Sequence, residues 1–232
     1  FASQGAAVEI LDLNPESLQE VVQAIEAAGG IARPHIIDVS DQQAVLTVFN
    51  LIGKLDILVN SAGISHIGKA DTTAAADFER ILNVNVKGVY NTIHAAIPAM
   101  KENKGGVIVN LCSVAALVGL PDRFAYSMSK GAMVTMTRNL GNALGTTGVR
   151  VNQINPGWIL TDREKQMKID AGMGDKWWEK LSSVDIPLGK MTTPEQLAQG
   201  CIYWIGDESI PFTATVLDLE QFTFIGRNPE KK

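Results

Sequence analysis

The chain has 232 residues, of which 46% are hydrophobic and 19% charged, and its formal net charge is −5 at pH 7. These values fit one large α/β domain or two small ones, and they exclude collagen-like, low-complexity and disordered chains. A weakly acidic chain without a cluster of Lys and Arg also disfavours nucleic acid as a partner.

Short β-branched runs alternate along the chain with longer segments of helical period. Strands are predicted at 7–12, 31–39, 55–60, 107–111, 149–155 and 215–219. Helices are predicted at 14–29, 41–52, 74–103, 125–145 and 193–205, with an irregular stretch from 157 to 183. This βαβ alternation predicts a single domain over residues 1–232 with a three-layer α/β fold, a doubly wound, Rossmann-like parallel sheet covered by helices on both faces.

The two cysteines, Cys112 and Cys201, are far apart and belong to no CxxC motif. This spacing predicts neither a zinc site nor a disulfide framework, and a reducing cytoplasm is the simplest compartment. No apolar stretch approaches the roughly 20 residues needed to span a bilayer. We therefore expect a cytoplasmic protein with no bound metal and no membrane partner.

Ligands of a doubly wound sheet bind beyond the carboxyl ends of its strands, so the residues that follow each strand are the candidate site. Asp12 ends the first strand, where a carboxylate can accept both ribose hydroxyls of an adenine dinucleotide and would repel a 2′-phosphate. Asp38 ends the second strand and could accept the adenine amino group. Each acid could equally serve only its local turn or helix cap. NAD is favoured over NADP, because no Lys or Arg follows Asp12 immediately.

Only small residues, Ser61 to Gly63, follow Asn60 at the end of the third strand. Small side chains let the backbone approach a flat ligand closely, and glycine adopts dihedrals closed to other residues. Alone this tetrapeptide is weak support for a ligand site, and its position after a buried strand strengthens it.

Tyr126 and Lys130 are four residues apart on a predicted helix, so the hydroxyl and the ammonium can share one face. A nearby cation favours phenolate and lowers the pKa of a tyrosine towards a value useful for proton transfer. Such a pair on an arbitrary helix is usually only a surface pair. Here Ser113 ends the preceding strand and Asn85 lies within the long helix, where an asparagine needs a polar partner.

With these motifs in the same order and at the same spacing, the sequence resembles the single-domain form of the short-chain dehydrogenase/reductase family. The segments NSAG, NVKG, LCS, YSMSK and PGWILT stand at the positions of that family's motifs, and the match covers nearly the whole chain. The resemblance implies an enzyme that interconverts an alcohol and a carbonyl with a nicotinamide cofactor.

The resemblance also implies a role for each catalytic residue. Tyr126 would be the general acid/base, and Lys130 would lower its pKa and bind the nicotinamide ribose. Ser113 would polarise the substrate oxygen, and Asn85 would fix a water that connects Lys130 to solvent.

The cofactor site implied by the resemblance extends along the strand ends. Its residues are Asp12, Asp38, Val39, Asn60, Ala62, Gly63, Tyr126, Lys130, Pro156, Gly157, Ile159 and Thr161, with Thr161 at the carboxamide of the nicotinamide. Homotetramers and dimers are common among such enzymes, so a homo-oligomer is expected.

The sequence departs from the family pattern at both ends. The family's first strand and its TGxxxGxG turn are absent, and Phe1 to Gly5 read as the end of the helix that follows that turn. We expect roughly 20 to 25 further residues before Phe1, at ordinary element lengths; the alternative is a truncated, non-binding product. Near the other end, Leu217 to Gln221 replace the usual DGG pattern.

Residues 162–183 are the expected substrate-covering segment. Met167, Met173 and the pair Trp177-Trp178 could form an apolar lid, or could equally be ordinary core or interface residues. Arg123, between the catalytic strand and Tyr126, could face a carboxylate or a hydroxyl-rich substrate. His66 could line the pocket, although a solvated loop histidine is the simpler interpretation.

The sequence supports three hypotheses for the function of this protein. The leading hypothesis is an NAD-dependent oxidoreductase acting on a small polar substrate such as a sugar, a polyol or a hydroxy acid. The second is a 3-oxoacyl thioester reductase, which predicts a preference for NADPH. The third is a dinucleotide-binding scaffold protein without turnover, which would have no need of Ser113, Tyr126, Lys130 and Asn85 together.

Overall fold

The computed structural model describes residues 1–183 and 186–221, and strands and helices alternate through it as the sequence predicts. The strands are β1 (Ala7–Asp12), β2 (Ile31–Ile36), β3 (Ile57–Asn60), β4 (Gly106–Leu111), β5 (Val149–Pro156) and β6 (Val216–Leu219). The helices are α1 (Pro15–Ala27), α2 (Gln42–Ile52), α3 (Ala75–Leu82), α4 (Val89–Glu102), α5 (Ala115–Val118), α6 (Phe124–Leu144), α7 (Asp162–Lys168) and α8 (Pro194–Ile205).

Local capping explains why several helices begin where the sequence predicts. The Asn14 side chain accepts hydrogen bonds from the N–H groups of Glu16 and Ser17, and α1 begins with proline. Asp41 caps α2 in the same way. A reciprocal capping box of Thr193 and Gln196 begins α8.

The predicted long helix over 74–103 is interrupted. A π-helical turn, Asn83–Gly88, separates α3 from α4 and contains the buried Asn85. Turns of π-helix are rare in proteins, and those that occur are frequently found at functional sites. The stretch that was expected to be irregular is also partly helical, with α7 followed by short helical turns at Ile169–Met173 and Trp177–Lys180.

All strand pairs are parallel, and the strands form two sheets. One has the order β1-β2 and the other β3-β4-β5-β6. The parallel, helix-covered architecture is confirmed, but the six strands do not form one continuous hydrogen-bonded row. Because β1 and β3 are not paired with each other, one edge of each lacks a strand partner among the described residues.

Both faces of the four-stranded sheet are buried. On one face Ile108 and Val151 belong to a core that includes residues of α2, α4 and α6. On the other face Val109 and Ile154 pack with Cys201 of α8. The carboxyl ends of the strands therefore lie between two packed helical layers, where the candidate residues are found. No helix in the described part of the chain is long and apolar enough to cross a membrane.

Candidate active site

Ser113 and Tyr126 meet beyond the end of β4. Ser113 follows the strand, and Tyr126 lies in the first turn of α6, where the neighbouring Ser113 side chain lowers the pKa of its hydroxyl against a larger opposing effect of burial. The N–H of Ala115 donates to Ser113 Oγ at 3.1 Å, and the N–H of Val114 donates to the carbonyl of Pro156 at 3.1 Å. The end of β5 therefore fixes the loop that carries Ser113.

Lys130 lies one turn further along α6 with its ammonium buried. Its Nζ is 3.4 Å from the carbonyl oxygen of Leu111, 3.8 Å from the sulfur of Met133 and 5.6 Å from the centroid of the Tyr126 ring. Burial lowers the pKa of this ammonium, and the charge of Cys112 raises it in part. Since long contacts to one carbonyl and one thioether leave an ammonium poorly satisfied, Lys130 retains donors for a ligand.

The expected lowering of the Tyr126 pKa by Lys130 is wrong for this structure. Burial raises that pKa, because a desolvated phenolate is unfavourable. The hydrogen bond from Ser113 and the charge of Arg123 lower it by less. The Lys130 ammonium lies 5.6 Å from the centroid of the Tyr126 ring and is not among the groups that shift this pKa.

Asn85 connects the loop after β3 to α6. Its Oδ1 accepts from the N–H of Ile64 at 2.8 Å, and its Nδ2 donates to the carbonyl of Ile64 and to Ser129 Oγ, both at 2.9 Å. Both amide protons are therefore used within the protein. One lone pair of Oδ1 remains for a water, so the proton path through Asn85 stays a prediction.

The small residues after β3 leave open space next to this network. Ala62 and Gly63 are exposed, and a Cβ at Gly63 would lie 3.5 Å from Asn85 Oδ1 and 3.6 Å from Lys130 Nζ. The Asn60 side chain is used in the core, since its Nδ2 donates to Asn110 and its Oδ1 accepts from Thr92. Only the backbone of Asn60 is available to a ligand.

Asp12 and Asp38 each stabilise a local turn, which is one of the two roles that the sequence allows them. Asp12 Oδ1 accepts from the N–H of Asn14, and Asp38 Oδ1 accepts from that of Ser40, each at 2.8 Å. Both residues are exposed, and their second carboxylate oxygens make no hydrogen bond in the described residues. The ribose and adenine roles stay predictions that this geometry permits.

The residues after β5 have more local partners than the sequence suggests. Thr161 caps α7, and its Oγ1 accepts from the N–H of Glu164 at 3.1 Å. Ile159 forms an isolated parallel bridge with Thr192. The hydroxyl hydrogen of Thr161 makes no bond among the described residues, so this side chain can still donate to a ligand.

The chain end that departs from the DGG pattern packs against this turn. Glu220 accepts from the N–H of Trp158 at 2.9 Å, and its carboxylate lies against Gly157. Gln221 accepts from the N–H of Leu188 at 3.1 Å and donates to the carbonyl of Lys190 at 2.6 Å. The side chains that replace the glycines therefore fix the two ends of the segment between 158 and 191.

The expected substrate-covering segment is partly core and partly exposed. Trp177 is buried and stacks on Trp158, with ring centroids 5.3 Å apart, in a small cluster with Ile186 and Met191. Met167 and Met173 are exposed. The core interpretation is therefore correct for Trp177, and contact of the two exposed methionines with a substrate stays a prediction.

Sequence reasoning missed a buried chain of polar side chains across the four-stranded sheet. Each member donates to the next, and the order is Thr92, Asn60, Asn110, Thr137, Gln153, Asn155 and finally Asp218. Because a carboxylate only accepts, Asp218 sets the direction of every amide in the chain. The signal in the sequence is a polar residue within each apolar strand run.

A second missed residue is Asn91, next to Thr92 on α4. Its Nδ2 donates to the carbonyl of Val39 at 2.9 Å. Its Oδ1 is buried without a hydrogen-bond partner in the described part of the chain. Adjacent residues of α4 thus hold two candidate strand ends, Val39 through Asn91 and Asn60 through Thr92.

Comparison with known proteins agrees with this geometry. The family model for short-chain dehydrogenases matches residues 1–172. The chain belongs to the short-chain dehydrogenase family. It is an oxidoreductase that acts on CH–OH groups.

Relatives within the short-chain dehydrogenase family carry different names. A 3-oxoacyl-[acyl-carrier-protein] reductase of Thermotoga maritima is 30% identical, over 95% of this chain and 88% of the relative. D-threitol dehydrogenase of Mycolicibacterium smegmatis is 31% identical, over 89% of this chain and 79% of the relative. The crystal structure of NAD+-bound xylitol dehydrogenase is 27% identical, covers 94% of this chain and 90% of its own, and has a TM-score of 0.85.

A nicotinamide dinucleotide is the cofactor class of short-chain dehydrogenases, and the residues present fit one. The under-coordinated Lys130 ammonium lies next to the exposed Gly63, only 3.6 Å from where a Cβ of that residue would be, and its unused donors suit sugar hydroxyls. The carboxylate of Asp12 ends β1, and that of Asp38 lies two residues beyond the end of β2, so both are at the same edge of the two-stranded sheet. The side-chain amide of Asn60 is not available to the cofactor, because it is already hydrogen-bonded to Asn110 and Thr92.

Proposed function

We propose that this protein is an NAD(H)-dependent oxidoreductase that interconverts a secondary alcohol and a carbonyl in a small polar substrate, a sugar, a polyol or a hydroxy acid. The observation that carries the proposal is that the fold places Ser113, at the end of β4, next to Tyr126 in the first turn of α6, with the buried Lys130 ammonium 5.6 Å from the Tyr126 ring. A shared hydroxyl pair next to a buried cation suits proton transfer to and from a substrate oxygen.

When bound, the nicotinamide supplies or accepts the hydride. In reduction, Ser113 donates a hydrogen bond to the carbonyl oxygen, and the Tyr126 hydroxyl gives that oxygen its proton as the C–H bond forms. In oxidation, Tyr126 removes the alcohol proton as the hydride leaves the carbon. Lys130, whose ammonium has few partners within the protein, binds ribose hydroxyls of the cofactor.

The proposed preference for NAD rests on Asp12. Its exposed carboxylate ends β1, where it can accept ribose hydroxyls and would repel a 2′-phosphate. Binding of NADPH more tightly than NADH, measured by calorimetry, would contradict this assignment.

The buried, protonated thiols of Cys112 and Cys201, each with a pKa raised to about 11 by burial, are compatible with the cytoplasmic location that we propose. A homotetramer or homodimer is proposed from the family resemblance.

A 3-oxoacyl thioester reductase is the second candidate, because the Thermotoga maritima relative and a solved structure from Brucella melitensis carry that name. The Brucella protein, 31% identical with a TM-score of 0.81, is described with bound NAD. Preference for NAD therefore does not separate the two candidates. A substrate panel that contains 3-oxoacyl esters beside polyols and hydroxy acids separates them.

The test of the mechanism is Tyr126→Phe in the full-length protein. Loss of the phenolic proton is expected to lower kcat by about 10²- to 10⁴-fold while NADH binding changes little. Tyr90→Phe, at an exposed position of α4, is the matched control and is expected to keep full activity. If Tyr126→Phe keeps wild-type turnover, Tyr126 is not the general acid/base, and the proposed mechanism is overturned.

A further inference from the structure

Arg123 precedes α6 by one residue and Tyr126 by three. Its backbone is fixed on both sides, since it forms a parallel bridge with Gly68, and the N–H of Phe124 donates to the Gly68 carbonyl at 3.0 Å. Its Nη1 donates to Ser65 Oγ at 2.6 Å. The loop after β3 and the start of α6 thus fix the position of the Arg123 guanidinium next to Ser65.

The guanidinium has more donors than the protein uses. It carries five N–H groups, and Ser65 is its hydrogen-bond acceptor among residues 1–183 and 186–221. None of the acids in those ranges lies within 4.0 Å of it. Asp77, which lines the small cavity next to Ser65, pairs instead with His66 at 3.7 Å. A guanidinium with most of its donors unused and no carboxylate partner among the described residues is suited to bind an anionic ligand.

The position of Arg123 relative to Tyr126 indicates which molecule supplies the group that the guanidinium binds. Arg123 is the N-cap residue of α6, and its carbonyl oxygen accepts from the N–H of Ser127 at 2.8 Å, so it directly precedes the helical turn that carries Tyr126. The charge of Arg123 also acts on the Tyr126 hydroxyl. A group held by the guanidinium would therefore belong to the same small molecule whose oxygen meets Ser113 and Tyr126.

We propose that Arg123 is a specificity-determining residue and that the substrate is a hydroxy acid or oxo acid, whose carboxylate Arg123 binds. The proposal rests on the oxidoreductase function proposed above and narrows its substrate class. Arginine donates two parallel hydrogen bonds to a carboxylate, which orients the substrate as well as attracting it. Sugars and polyols without a charge lack this contact.

The experiment compares acids with their neutral amides, which differ in charge and hardly in shape. The pairs are lactate and lactamide, 3-hydroxybutyrate and 3-hydroxybutyramide, and gluconate and gluconamide. Oxidation is followed by NADH absorbance for the wild type, Arg123→Gln and Arg123→Lys. The matched control is Arg138→Gln, which removes an exposed arginine twelve residues beyond Tyr126 on the same helix, about 18 Å away.

The wild type is expected to prefer at least one acid over its amide. Arg123→Gln should lower kcat/KM for that acid about tenfold or more, mainly through KM, because a charge-assisted hydrogen bond is lost. Its kcat/KM for the amide should change less than about threefold on the same scale. Arg123→Lys should retain part of the preference and Arg138→Gln all of it.

Three outcomes would overturn the inference. One is equal turnover of acids and amides by the wild type, and another is turnover of neutral polyols or oxoacyl esters alone. The third is an equal loss on acid and amide in Arg123→Gln, which would mean that Arg123 only fixes the loop. Ser65→Ala removes the loop contact and keeps the guanidinium, so it should leave the preference for the acid intact. Absence of NADH formation from every compound would instead contradict the proposed function, and the inference would fail with it.

Discussion

The carboxylate of Glu220 occupies the space that a side chain at position 157 would need. A Cβ built on Gly157 overlaps this carboxylate, which also accepts the N–H of Trp158 at 2.9 Å. A side chain at position 157 would therefore displace the carboxylate of a residue 63 positions later in the sequence, and Glu220 lies directly at the turn after β5.

Gly157→Ala is expected to destabilise the protein, and the loss should depend on Glu220. Overpacking of this kind costs about 1–3 kcal/mol in the free energy of unfolding, measured by urea denaturation. The double variant Gly157→Ala, Glu220→Gly should recover much of the loss, because the clash is removed. Gly145→Ala is the control, since a Cβ there meets no atom within 4 Å. Additive effects of the two changes would show that the overlap is not the cause.

The pH dependence of the reaction should follow the raised pKa of Tyr126. Oxidation requires the phenolate, so kcat/KM for oxidation should rise through the alkaline range, and kcat/KM for reduction, which requires the phenol, should fall there. Ser113→Ala removes a hydrogen bond that lowers this pKa, so the rise should move to still higher pH. A shift to lower pH in Ser113→Ala would contradict the assigned sign.

Asn91 is expected to act on cofactor affinity rather than on the chemical step. Asn91→Leu leaves the Val39 carbonyl without its donor and should loosen the loop after β2, where the adenine is proposed to bind. Loss of one hydrogen bond predicts NADH binding weaker by about three- to tenfold in calorimetry, with kcat at saturating NAD little changed. Thr47→Val, which removes a surface hydrogen bond of α2, serves as the control. A large fall in kcat with unchanged NADH affinity would refute this positioning role.

Local features of the sequence were sufficient for much of the fold. The start of α1 follows from Asn14 and Pro15, because an N-cap needs only neighbours in sequence. The shared face of Tyr126 and Lys130 follows from helix geometry alone. The π-helical turn around Asn85 could not be predicted in this way, because its partners Ile64 and Ser129 are 21 and 44 residues away.

The sequence by itself determined the alternation of strands and helices, the family, and which residue types converge at the strand ends, since these depend on periodicity, capping and motif spacing. Only the tertiary structure decided how those residues behave. Burial, which depends on the packed surroundings, raises the pKa of Tyr126 against the expectation from Lys130. Contacts between distant segments place Glu220 on Gly157 and Arg123 on Ser65, because such contacts arise only when the chain is folded.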